Sequence, residues 1–167
     1  EESTLKYWKD AGHVARRTLE AMKLELTPGK TFHEVIESAE RYIHRHGGKP
    51  AFPGTIAVND LAAHFTTDHN INPVEGWEGE MVLQKGDCVK IDFGVHIKGH
   101  IADNALTFEI GNGNEHTEQI KAAKEARDAA IEMLHPGTPW YKVGQAAAQP
   151  SLDAGFQPIR NLCGHQL

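Results

Sequence analysis

The 167 residues carry 17 Lys and Arg against 23 Asp and Glu, for a net charge of −6, with 40% hydrophobic residues, 16 Gly, 8 Pro, eleven His and two Cys. Such a chain can bury a substantial core as one domain, and it has no run of the ~18 apolar residues a membrane span needs, nor a collagen-like composition. The acidic balance argues against a nucleic-acid backbone, DNA included, as main partner. Cys88 and Cys163 make no disulfide framework and no secretory leader is evident, so the expected setting is the cytoplasm.

Leu5, Trp8, Val14, Ala15, Leu19, Met22 and Leu26 recur at three- and four-residue steps, which predicts an amphipathic helix from Leu5 to Leu26 ending at Thr27-Pro28-Gly29. Thr31 with Glu34 three positions on predicts a capping box, followed by a second stripe of Phe32, Val35, Ile36, Ala39 and Ile43 that stops at Gly47-Gly48. From Phe52 to about Thr66 the pattern becomes short and apolar, and a loop rich in Asn, Pro and Gly follows through residue 79. Gly86 to Ile110 alternates cleanly and reads as two strands about a tight turn at Lys98-Gly99, closed by Gly111-Asn112-Gly113-Asn114. Ile120 to Leu134 is Ala-rich and helical. A fourth helix is expected with Thr138 as N-cap and Pro139 at its first position, shortened or kinked by Pro150.

The two helix-Pro-Gly-helix units superpose at an offset of 108 residues. Leu26, Pro28, Gly29, Val35, Gly47 and Pro50 match Leu134, Pro136, Gly137, Val143, Gly155 and Pro158. Six identities at one offset point to an internal duplication, with a first half over 1–113 and the start of a second over 114–167. A second unit with its own hairpin would run to about residue 218.

The densest chemistry lies in Val89-Lys90-Ile91-Asp92-Phe93-Gly94-Val95-His96-Ile97 and, beyond the turn, His100-Ile101-Ala102-Asp103-Asn104-Ala105-Leu106-Thr107-Phe108. With Lys98-Gly99 as the turn, Ile97 lies opposite His100, Asp103 opposite Gly94 and Asp92 opposite Ala105. Val89, Ile91, Phe93 and Val95 then share a core face with Leu106 and Phe108, while Asp92 and Asp103 fall on the other face as a diagonal pair, β-carbons ~7 Å apart. Like charges that close repel unless a cation sits between them, so one reading is a divalent metal site, or a pair of ions. The other is a solvated face in which both carboxylates pair with Lys90 or nearby cations. Gly94 is expected to leave room for an ion beside Asp103. His96 shares this face, beside the carboxylates or toward solvent.

His64, at the end of an apolar strand in Ala62-Ala63-His64-Phe65-Thr66, suits a core or rim residue as well as a functional one. His165 follows a short strand and Gly164 and is equally open. His13, His33, His44, His46, His69, His116 and His135 fall on polar helix faces, helix ends or a loop and require no role, and Cys88 is assigned none.

Taken in order, Phe52-Pro53, Asn59, Ala62-Ala63-His64-Phe65-Thr66, Lys90-Ile91-Asp92-Phe93-Gly94 with Ile101-Ala102-Asp103, and Asn161-Leu162-Cys163-Gly164-His165 resemble the methionine aminopeptidases, and the Ala-Ala-His-Phe-Thr version looks like their type 2 class of archaea and eukaryotic cytosol. The resemblance runs from about residue 8 to 167. It implies an α/β pita-bread fold of two pseudo-symmetric halves around a curved antiparallel sheet, with the second half truncated here. It further implies hydrolytic removal of the N-terminal methionine from nascent proteins and peptides by two divalent metal ions, cobalt, manganese, iron or zinc. Asp92, Asp103 and His165 would be metal ligands, His64 would act on the substrate near its amine and scissile amide, and Phe52 would line the methionine pocket. Two family glutamate ligands have no counterpart, so a complementary chain or segment is expected to supply them. Thr67, where Pro is usual, and Pro150 depart from the pattern. The alternatives are a non-catalytic pita-bread protein that binds RNA or protein, and an Xaa-Pro peptidase relative.

Overall fold

The computed structural model describes residues 2–67, 81–111, 113–165 and 167. The loop expected after Thr66, with His69, lies apart from Thr67 outside them, as does Asn112. The chain divides into two compact units, one built on residues 1–113 and one on 114–166.

In the first unit, α1 (Glu2–Glu25) and α2 (Phe32–Arg45) precede β1 (Lys49–Pro50), β2 (Thr55–Val58), β3 (Cys88–Ile97) and β4 (His100–Glu109). All four strands form one antiparallel sheet in which β3 pairs with β4 on one side and with β1 and β2 on the other. Lys98 and Gly99 take φ of 50° and 82°, the positive values that let a two-residue turn follow the twist of its strands. The register is the one that turn dictates, with Ile97 opposite His100, Gly94 opposite Asp103 and Asp92 opposite Ala105.

Alternation then sorts the side chains. Val89, Ile91, Phe93 and Val95 are buried and meet Val14, Ala15, Leu19 and Met22 of α1 and Val35, Ile36, Ala39 and Ile43 of α2, with Leu106 and Phe108 packed alongside. Each of these residues larger than alanine contributes about 1.5–3 kcal/mol by leaving water, so this face fixes which face of β3 remains for chemistry. The helix α2 begins as expected. Thr31 accepts from the Glu34 amide at 3.1 Å while Glu34 accepts from the Thr31 amide at 2.8 Å, and these bonds hold the Glu34 carboxyl below its usual range.

Three features of this unit differ from expectation. The α1 stripe starts at Ala11, not Leu5, because Leu5 and Trp8 are exposed; this end of the helix lies beside the hairpin turn, where Trp8 and His100 meet ring to ring, edge to face. The apolar segment after Phe52 is a strand only over Thr55–Val58, the stretch that can pair with Val89–Asp92. Nothing in Lys49-Pro50 itself marks a strand; the two-residue β1 exists because β3 outruns β2 and offers Val95 and His96 as partners.

The second unit consists of α3 (Thr117–Glu132) and α4 (Trp140–Asp153) packed on each other. Pro139, extended at φ −64° and ψ 134°, is the N-cap of α4 in place of Thr138, whose amide is engaged by the His135 carbonyl at 3.0 Å. Pro150 does not shorten the helix, which continues to Asp153. A proline forfeits one i→i−4 bond, and here the bonds from Ala154 to Pro150 and from Phe156 to Ser151 close the end regardless. The strand expected before His165 is absent among the described residues, for a strand needs a partner and this unit presents only helices.

Candidate metal centre

Asp92 and Asp103 emerge on the sheet face opposite the core, on neighbouring strands and two register positions apart. Asp92 is half-buried, and its carboxyl is pushed above the ordinary carboxylate range, first by burial and then by the charge of Asp103, with the hydrogen bond that its protonated form donates to Asp103 acting in the same direction. Lys90 and His64 pull the other way. Asp92 Oδ1 is buried with no hydrogen-bond partner among the described residues. Two convergent carboxylates, one with a buried oxygen unsatisfied, are expensive for a protein alone. They form a hard-oxygen donor set of the kind divalent cations take, so the pair fits a metal site. Among the described residues no three His, Cys, Asp or Glu side chains gather into a complete ligand set.

Lys90 does not neutralise the pair in the way a solvated face would require. Its ammonium donates to the Ala62 carbonyl at 2.8 Å and acts on Asp92 only as a charge.

Gly94 has a different use from the one expected. A Cβ built on it would stand 2.2 Å from Phe52 Cε1 and 3.0 Å from Ala51 Cβ. The space is therefore filled by the edge of the Phe52 ring, not left for an ion, because the Ala51 amide bonds the Gly94 carbonyl at 2.9 Å and draws that segment over β3. Phe52 is thereby set, half-buried, on the face that carries both aspartates.

His64 lies exposed in the loop beyond β2, not at a strand end, with φ of 60°. That left-handed backbone is uncommon for a residue with a side chain and persists where surrounding bonds determine it. Here Ile56 donates to the Phe65 carbonyl at 2.9 Å and Thr66 Oγ1 to the Gly54 carbonyl at 2.8 Å. The hairpin thus brings Asp92 and Asp103 together, with Phe52 over Gly94 and His64 near enough to act electrostatically on Asp92. His165 belongs to the second unit, exposed in irregular chain.

Sequence reasoning missed the clasp beneath this loop. Asn59 bridges Asp87 Oδ1 and the Cys88 amide at 2.9 Å each, and its own amide bonds the Cys88 carbonyl. The available signal was Asn59 at the end of an apolar run, a residue type that tolerates the positive φ of 52° it adopts.

The model of metallopeptidase family M24 matches residues 6–167, nearly the whole chain. This chain belongs to family M24. It is 39% identical over 157 residues to a methionine aminopeptidase of Thermococcus onnurineus, covering 94% of this chain and 50% of that one. A methionine aminopeptidase of Methanothermus fervidus is 32% identical over 177 residues, with 99% of this chain and 88% of that relative covered. Among solved structures, methionine aminopeptidase from Thermotoga maritima superposes with a TM-score of 0.83 at 24% identity, over 99% of this chain and 66% of that one. The M24 chain therefore has the pita-bread fold, and it spans about half the length of the first curated relatives it matches. No helix among the described residues is long and apolar enough to cross a membrane.

Proposed function

We propose that this M24 chain takes part in metal-dependent removal of the N-terminal methionine from nascent proteins and peptides in the cytoplasm. The observation that carries the reading is the Asp92–Asp103 pair, half-buried and diagonal across the family's hairpin, in a chain 39% identical to a methionine aminopeptidase.

In this reading Asp92 and Asp103 hold divalent cations, with His165 as a further ligand and glutamates from another segment or a complementary chain completing the set. Imidazole and carboxylate donors suit cobalt, manganese, iron or zinc. When bound, such ions supply Lewis acidity and make water acidic enough to yield a nucleophile near neutral pH. The chain's own residues supply position and charge. Phe52, held over Gly94, gives the methionine side chain an apolar wall beside the carboxylates and keeps water from that side. His64 presents an imidazole N–H to the scissile amide, where it stabilises negative charge developing on the carbonyl oxygen. Asp92 serves in its charged form, and cation binding favours that form against the burial and the Asp103 charge that raise its carboxyl.

Metal analysis combined with a Met-Ala-Ser cleavage assay, on the chain alone and with any co-purifying chain, tests this. Metal-dependent release of methionine that Asp92→Asn abolishes is the expected result. Release from Xaa-Pro peptides instead, or neither metal nor cleavage in the completed assembly, would overturn it.

A further inference from the structure

The loop that carries His64 is tied down at both ends. Asn59 anchors its start to Asp87 and Cys88, and Phe65 and Thr66 anchor its end to Ile56 and Gly54. Between these anchors lie Asp60, Leu61, Ala62, Ala63 and His64, of which Leu61 bonds back to Val58 and the last three form the middle of the loop. Among the described residues, the tie from this middle stretch to β3 is the bond from Lys90 Nζ to the Ala62 carbonyl, 2.8 Å long.

Lys90 stands two residues before Asp92 on β3, so the two side chains leave the sheet on the same face. The same ammonium and His64 both favour the charged form of Asp92. One side chain therefore spans from the strand bearing a carboxylate of the pair to the loop bearing the imidazole.

We propose that Lys90 is a positioning residue, which fixes the Ala62–His64 stretch against β3 and so sets where the His64 ring stands relative to Asp92. A lysine suits the task because its long stem crosses from β3 to the loop and its ammonium makes a charge-assisted bond to a backbone carbonyl, a stronger tie than a neutral donor provides. The tie also bears on the left-handed φ of 60° at His64, because freeing the Ala62 carbonyl removes a constraint two residues away. The consequence for catalysis rests on the reading of His64 given above. The positional claim does not, and its test is conformational.

The test compares Lys90→Met and Lys90→Arg with the unaltered chain. Hydrogen exchange followed by mass spectrometry reports amides 59–67, and the imidazole Cε1–H signals of His64, His96 and His100 are followed by NMR, with His64 assigned through His64→Gln. Lys90→Met is expected to speed exchange in 59–67 by about tenfold, the equivalent of one charge-assisted bond, and to move the His64 signal. His96 and His100, on the same hairpin, should stay where they are, and the thermal midpoint should fall by no more than the few degrees that one such bond accounts for. Lys90→Arg, which retains the charge and donor, should restore both readouts. An unmoved His64 signal with unchanged loop exchange would overturn the proposal. So would exchange that rises throughout the first unit, or an arginine variant that behaves like the methionine one. If the chain failed to cleave methionyl peptides, these readouts would still decide the claim about Lys90.

Discussion

The edge of the Phe52 ring fills the space that a side chain on Gly94 would need, 2.2 Å from where its Cβ would stand. This close approach couples the apolar wall of the candidate site to the strand that carries Asp92. Gly94→Ala is predicted to overpack the contact and cost about 1–3 kcal/mol of stability. In a Phe52→Ala background the same change should cost under about 1 kcal/mol, because the obstacle has gone. Denaturant melts of the four proteins check this, and equal costs in both backgrounds would show that Phe52 is not the obstacle.

Asp92 gives the metal-free chain a specific dependence on pH. Burial first, then the charge of Asp103, raises its carboxyl above the ordinary 3.8. The folded state consequently binds more protons than the unfolded state between 3.8 and the raised value, so stability falls as pH rises through that window. Urea melts at a series of pH values should show this decline, and Asp92→Asn should remove its share of it. An identical slope in the variant would mean that Asp92 titrates as an ordinary carboxyl.

The capping box at the start of α2 is a further local test. Thr31→Ala removes the acceptor of the Glu34 amide and should cost about 1 kcal/mol, read as a lower melting midpoint without loss of helix elsewhere. The paired bonds also depress the Glu34 carboxyl, so its contribution is present above the unfolded range and lost as pH falls through the depressed value.

Much of this arrangement is legible in the residues because it depends on local rules. Lys98-Gly99 sets the hairpin register, the register sets parity, and parity alone separates the buried Val89, Ile91, Phe93 and Val95 from Asp92 and Asp103. Thr31 and Glu34 likewise announce the start of α2. What escapes is set by contacts distant in sequence. The left-handed His64 depends on bonds to Gly54, Ile56 and Lys90, which no apolar pattern around residue 64 encodes. The use of Gly94 depends on Phe52 arriving from another segment, and β1 depends on the spare length of β3. From the strand pattern Lys90 reads as an ion-pair partner, since spacing along a strand does not reveal a carbonyl 28 residues away.

The central claim is that Asp92 and Asp103 together hold a divalent cation on the outer face of the hairpin. Titrating Mn²⁺ into the isotope-labelled chain tests it most directly, because a paramagnetic ion broadens the NMR signals of the groups around it. Saturable broadening at Asp92, Gly94 and Asp103, abolished in Asp92→Asn and in Asp103→Asn, is the predicted result. Broadening elsewhere, or at these residues but unaffected by either substitution, would contradict it.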